Sequence, residues 1–352
     1  MYIYIALIIF CTFNGLILDK FNNRNSKYFK IILYITFSLL FLVSALRYEV
    51  GQDYVNTYVF TYERIVAGAK NVRMDIALKV IYKIMAMLQA NVQWIFVITS
   101  FLINWFACKN IVTQSPNCKL SFLIYLCGIF YFFSMNGIRQ SIAMMLFYYS
   151  FRYIKEQNFK KYLMFNGVGV LFHTSAVLFL PLYFVLGKKI KFKFKITLIA
   201  IAIMASKIVV PFIASILMQT HYAMYLTNGY YSAQESMNFS MYLNIVIFLL
   251  YEWSLRKSDS NKFGTIYSNI HFCGVIVSLL ATSLPLMIRI FMSFRFVEFL
   301  SVPYLVEMNR NKYRQIIEVT IIILYFAYFV YAIIIQNGNT VLPYKTIFSE
   351  IW

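Results

Sequence analysis

IILYITFSLLFLVSAL (Ile31–Leu46) carries no Asp, Glu, Lys or Arg, and RYEVGQDY (Arg47–Tyr54), which follows directly, places an arginine and two acids within eight residues. As a helix, the first stretch has the length and apolarity to cross about 30 Å of hydrocarbon, where a helix satisfies its own backbone hydrogen bonds. Met1–Leu18, Ile84–Cys108, Phe263–Ile288 and Val319–Tyr344 repeat the pattern, each free of the same four residue types. Over 352 residues, 61% are hydrophobic, 19% aromatic and 13% charged, and mean hydropathy is +0.68. These values predict an all-α, polytopic integral membrane helical bundle and exclude a soluble globular domain. Met1–Leu18 lacks a small-residue cleavage site and runs into Asp19 and a basic loop, so it reads as a retained helix.

The net charge of +19, from 32 Lys and Arg against 13 Asp and Glu, would suggest nucleic acid as partner in a soluble chain. Here the cations fall in short clusters between apolar runs. The positive-inside rule and anionic inner-leaflet lipid account for them, and no nucleic-acid module is present. With Lys20–Lys30, Lys109 and Lys119, Arg152–Lys161, Lys188–Lys195, Arg256–Lys262 and Arg310–Arg314 in the cytoplasm, about 12 transmembrane helices result, within a range of about 10 to 14. Residues 47–90 then form an external loop plus an interfacial helix, Asp75–Gln89, with Lys79 and Lys83 on one side. Tyr162–Gly187 goes out and back as two short or re-entrant helices turning near His173; one tilted span is the alternative. Without a long linker or repeat, residues 1–352 are expected to form one polytopic domain. The five cysteines (Cys11, Cys108, Cys118, Cys127, Cys273) show no CxxC spacing and read as packing residues.

This topology gathers several polar clusters on the external side, and each has a plain structural reading beside a functional one. In RYEVGQDY, Arg47 and Tyr48 suit a helix end at the headgroups, Gly51 a tight turn and Asp53 a helix N-cap. Functionally, Arg47 offers a planar fork for phosphate oxygens and Asp53 a carboxylate at a reacting hydroxyl; the two also fit a mutual ion pair. Asn136, Arg139 and Gln140 interrupt apolar sequence, which suits either a snorkelling arginine or an anion site with two flanking donors. His173, followed by Thr174 and Ser175, either donates to a backbone carbonyl or handles a proton or a sugar hydroxyl. His221 and His271 lack such polar company and read as structural. Arg295 and Glu298 can pair at i,i+3, whereas Arg289, just after Pro285, is the better anion ligand. Lys207, mid-span, either pairs with a carboxylate or lines a cavity.

No DxD pair, HExxH, GxSxG or Walker loop occurs, so a metal-independent mechanism without a cofactor is expected, with arginines neutralising any diphosphate leaving group. The patterns R-x3-G-x-D-Y (Arg47, Gly51, Asp53, Tyr54), N-x-I-R-Q-x-x-A (Asn136, Ile138, Arg139, Gln140, Ala143) and H-x-S-A (His173, Ser175, Ala176) occur in that order. On a polytopic chain of this length, this order and spacing resemble the EpsG family of Wzy-like polysaccharide polymerases. The closing Pro343–Tyr344 is also similar, while the region around Arg289 and Arg295 fits less closely.

The resemblance implies a glycosyltransferase of the inner (cytoplasmic) membrane that polymerises a polyprenyl-diphosphate-linked oligosaccharide on the outer face. A flippase and a chain-length regulator would be its companions. Asp53 or His173 would then be the general base, and Arg47, Arg139, Arg289 and Arg295 would hold the diphosphate. Gly51, Tyr54, Asn136, Gln140 and Ser175 would complete the substrate site. A transporter or flippase of the same glycan, or a membrane-embedded O-acyltransferase, would use a similar set of residues. The former often carries inverted repeats, and the latter needs reactive groups reachable from the cytoplasm.

Overall fold

Small polar residues ahead of the apolar runs start many of the helices. The computed structural model describes residues 1–69, 71–220, 223, 238–256, 261–282, 287–309 and 314–349. His221, Lys257, Pro285, Arg310 and Lys312 lie outside these residues. The described chain divides into two compact units, the first of residues 1–153, 158–180 and 298–352 and the second of 154–157 and 181–297.

In the first unit, α1 (Tyr2–Leu18) is followed by α2 (Lys27–Ala45), whose N-cap Ser26 accepts from the Phe29 amide at 3.2 Å. A π-helical turn (Tyr54–Val59), α3 (Phe60–Val66) and α4 (Ile76–Met87) fill the connection from α2 to α5 (Gln93–Gln114). Asn117 caps α6 (Cys118–Cys127), and α7 (Phe130–Asn136) follows after a break. Beyond Gly137 comes α8 (Ile138–Lys155), and then α9 (Phe159–Phe172), capped by Asn158. Each cap satisfies an amide that has no partner inside its own helix. His173 is extended (φ −152°, ψ 109°) and separates α9 from a 3-10 segment, Thr174–Leu182. The expected two short segments meeting near His173 are therefore present.

The second unit contains α10 (Tyr183–Leu186), α11 (Phe192–Leu217), α12 (Phe239–Leu255), α13 (Lys262–Ala281) and α14 (Met287–Arg295). Asn238 and Asn261 cap α12 and α13. His271 is buried with Nδ1 2.7 Å from Asn244 Oδ1, a structural histidine as expected. Lys195 Nζ lies 2.7 Å from Glu252 Oε1 and donates to Ser268 Oγ, while Lys207 is exposed. The chain returns to the first unit with α15 (Glu298–Met308) and α16 (Arg314–Phe329).

Among the described residues, α2, α5, α13 and the helix Arg314–Ile335 are long and apolar enough to span a membrane. A fifth span arises if α6 and α7, bent by 48°, count as one. The expected number of about 12 is not reached by this measure. The apolar helices α1 and α12 have only 17 residues each, and helix breaks at Ile129 (φ 63°), Gly137 and His173 divide other apolar sequence into short pieces. Outward-facing Ile9, Phe10 and Phe13 on α1, Ile31 and Ile35 on α2, and Ile323 on α16 are exposed, as lipid-facing side chains are in a membrane protein. α1 lies close against α6, where a Cβ on Gly15 would meet the Lys119 backbone at 2.7 Å. There the Asp19 carboxylate accepts from the Cys118 and Lys119 amides and favours the α6 N-terminus. All five cysteines are free, four of them buried.

Candidate active site

α2 ends at Ala45, and the next residues turn inward. Arg47 is 1% exposed, its guanidinium donating to the carbonyls of Ser44 (2.7 Å) and Met135 (3.0 Å) and lying 4.9 Å from the Phe96 ring centroid. These contacts join the end of α2 to α5 and α7. Gln93, opening α5, donates to the carbonyls of Ala45 and Arg47 and accepts from the Tyr54 hydroxyl at 2.9 Å. Tyr54 stacks on Phe96 with centroids 4.2 Å apart. A later segment closes over these residues: the Tyr48 amide donates to Lys345 O, the Ile347 amide to Leu46 O, and the Tyr344 hydroxyl to Val43 O.

Asn136 sits where α7 gives way to α8 and ties three segments together. Its Oδ1 accepts from the Asp53 amide at 3.2 Å, its Nδ2 donates to Asn339 O at 2.8 Å, and its own carbonyl accepts from Tyr58. The Tyr58 hydroxyl also accepts from the Ile138 amide, and burial pushes its pKa up to about 12, so it stays a neutral donor and acceptor. Gly51 is required here, because its φ is +105° and an added Cβ would lie 2.7 Å from Asn136 Oδ1. Gly51→Ala is expected to destabilise the protein by at least about 1–3 kcal/mol from backbone strain alone. A thermal unfolding midpoint in detergent reads the loss; an unchanged midpoint would mean that Asn136 is not held where the hydrogen bonds place it.

On the first turn of α8, Arg139 donates to Asp75 Oδ2 at 2.8 Å. Asp75 immediately precedes α4 yet makes no side-chain cap there. Its other oxygen accepts from the Thr174 amide (3.1 Å) and hydroxyl (2.7 Å), and His173 Nδ1 stands 3.8 Å from Oδ2. The carboxylate is the inner member, with its side chain 11% exposed against 35% for Arg139 and 26% for His173. Thus a guanidinium and an imidazole, from α8 and from the break after α9, flank one half-buried acid and are themselves partly exposed. Desolvation raises the Asp75 pKa, but the facing His173, the Thr174 bonds and the Arg139 charge outweigh it and hold it well below the usual carboxylate range.

The sign of the pH dependence follows. A depressed folded-state pKa contributes stability that is fully present above the unfolded value of ~4. That contribution is lost as pH falls through the lowered one. Unfolding of the wild type measured from neutral to acid pH should show this loss, and Asp75→Asn should show a flatter acid limb. Identical limbs would exclude the assigned ionisation.

Of the residues expected at the site, Gly51, Asp53, Asn136 and Arg139 are brought into two adjoining hydrogen-bonded groups at the α7–α8 junction, and His173 faces the second at 3.8 Å. Gln140 is buried on the same first turn of α8, and Ser175 is exposed beside Thr174. Asp53 does not cap the turn after it; its carboxylate accepts from Thr57 at 3.5 Å. Arg47 and Tyr54 are packed inside and shape the loop without offering a free face. Arg289 and Arg295 belong to α14 of the second unit, Arg289 exposed and Arg295 1% exposed. Asp75 and Tyr58 were not expected at the site. An acid directly before an amphipathic helix reads as its N-cap, and only the otherwise cationic run Arg73–Lys83 marks Asp75 as unusual.

No curated protein and no solved structure matches the chain. Residues 30–346, nearly its whole length and including both polar groups at the α7–α8 junction, match the EpsG family of Wzy-like polysaccharide polymerases, and the chain belongs to that family.

Proposed function

We propose that this protein joins polyprenyl-diphosphate-linked oligosaccharide repeat units on the outer face of the cytoplasmic membrane, with Arg139, Asp75 and His173 at the centre of the reaction. The observation that carries this reading is the half-buried Asp75 carboxylate, paired with Arg139 and faced by His173. Glycosyl transfer from a lipid diphosphate needs a cation for the leaving group and a base for the attacking hydroxyl, and this cluster offers both side by side. A hydroxyl of the incoming unit attacks the anomeric carbon of the growing glycan. The new C–O bond forms as the bond to diphosphate breaks, the proton passes to His173, and polyprenyl diphosphate departs toward Arg139. Asp75 below Nδ1 favours the tautomer with its proton on that nitrogen, which leaves the other ring nitrogen to accept.

His173 is thereby favoured over Asp53 as the base, and Arg47 becomes a positioning residue that fixes the loop bearing Gly51 and Asp53. Arg289 and Arg295 are kept as further diphosphate ligands on charge alone. No DxD pair occurs in the sequence, so charge neutralisation is assigned to arginine and the reaction to a metal-independent route. A flippase that supplies the substrate and a chain-length regulator are the companions this chemistry calls for. The test is purified protein in liposomes with lipid-linked repeat units alone. Polymer with release of polyprenyl diphosphate is expected. Movement of the substrate across the bilayer without polymer would assign a flippase, and acyl transfer to the glycan an acyltransferase.

A further inference from the structure

Some cations of the first unit have acidic partners: Lys119 and Arg314 pair with Glu318, Arg139 with Asp75 and Lys345 with Glu49. Arg24, Lys30 and Lys109 are among those that, within the described residues, pair with no carboxylate, and they lie together. All three line one groove of about 230 Å³ between the start of α2 and the end of α5, and no acidic side chain lines it. The Arg24 guanidinium is fixed at this end of α5 by the carbonyls of Val112 and Ser115. Lys109 lies 5.2 Å over the Trp105 ring, which is stacked with Tyr34. Phe37 continues the aromatic wall away from the cations. With α2 19 residues long, the groove lies roughly 28 Å along that helix from Arg47. It therefore opens at the membrane face opposite the candidate active site.

Like charges gathered without a counterion repel, and an anion among them removes the repulsion. The wall below is apolar, and neighbouring Ile31 and Tyr34 are 42% and 52% exposed on a membrane-spanning helix. We propose that the groove is a binding site for an anionic phospholipid. Its phosphate sits among Arg24, Lys30 and Lys109, and the first part of an acyl chain lies along Tyr34, Phe37 and Trp105. A free phosphate would use the cations and leave the aromatic wall uncovered. A zwitterionic lipid would bring its own cation into a positive mouth.

The experiment takes the full-length protein in neutral detergent and measures its unfolding midpoint and lipid retention by native mass spectrometry. The probes are phosphatidylglycerol, phosphatidylcholine and inorganic phosphate. Phosphatidylglycerol is expected to raise the midpoint and stay bound. The double variant Lys30→Gln/Lys109→Gln, which leaves the Arg24 contacts intact, should weaken its binding about tenfold or more. Lys20→Gln, a charge change outside the groove, should not. Equal effects of phosphatidylcholine, full reproduction by inorganic phosphate, or an equal loss in Lys20→Gln would each overturn the assignment. Should the double variant fail to fold, wild-type protein cross-linked to a photoactivatable phosphatidylglycerol decides. Labels in residues 24–37 and 105–113 support the site, and labels only elsewhere refute it.

Discussion

Arg139→Lys is expected to lower chain extension by about 10²–10³-fold while the protein remains inserted and folded. A lysine keeps the charge and can still reach Asp75. It presents a compact ammonium where arginine presents a planar fork able to hold a carboxylate on one edge and phosphate oxygens on another. Because Arg139 is 35% exposed and its guanidinium is held by Asp75 alone among the described residues, the remaining edge is the part available to a ligand. Cells carrying the variant should accumulate lipid-linked single repeat units. Polymer of normal amount and length would remove Arg139 from the reaction.

The second large effect is assigned to Asp75→Asn. The amide keeps the size of the side chain and can still accept from Thr174, so the 3-10 segment should stay in place. What it loses is the charge beneath His173 and Arg139, and turnover should fall by about 10²–10⁴-fold. Binding should be affected differently, since Arg139 then lacks its competing carboxylate and the donor diphosphate meets an unpaired cation. The expected signature is a drop in kcat with KM unchanged or lower, whereas Arg139→Lys should raise KM as well. If Asp75 only held the fold together, both variants would lose stability together and show no such split.

How far this site could be read from sequence depends on the residue. Gly51 and Asn136 were legible as members of two separate polar patterns, and they meet because only a glycine admits the amide side chain so closely. Arg139 and His173 stood out because charged or titratable groups are costly in apolar sequence and so call for a partner. That partner was the illegible part. Asp75 occupies an ordinary cap position, and nothing in the local pattern says that its side chain turns away from its own helix toward residues 64 and 99 positions later. Arg47 was misleading in the opposite direction: its place beside a span suggested a ligand fork, yet burial against the carbonyls of Ser44 and Met135 makes it a brace. The fold class was plain from composition. The number of spans was not, since His173 and Ile129 interrupt helices without any proline at the break.

The antiparallel contact of residues 344–347 with residues 43–48 links positions as far as 301 apart in the chain. Ribosomal synthesis delivers these partners 301 residues apart, so the loop bearing Gly51 and Asp53 must wait for Tyr344 before it is fastened. A nascent chain still short of Tyr344 would already own Arg139, Asp75 and His173 but would hold them under an unsecured roof. The anchorage of this loop is in this sense timed by translation, arriving long after the residues it fastens have been made.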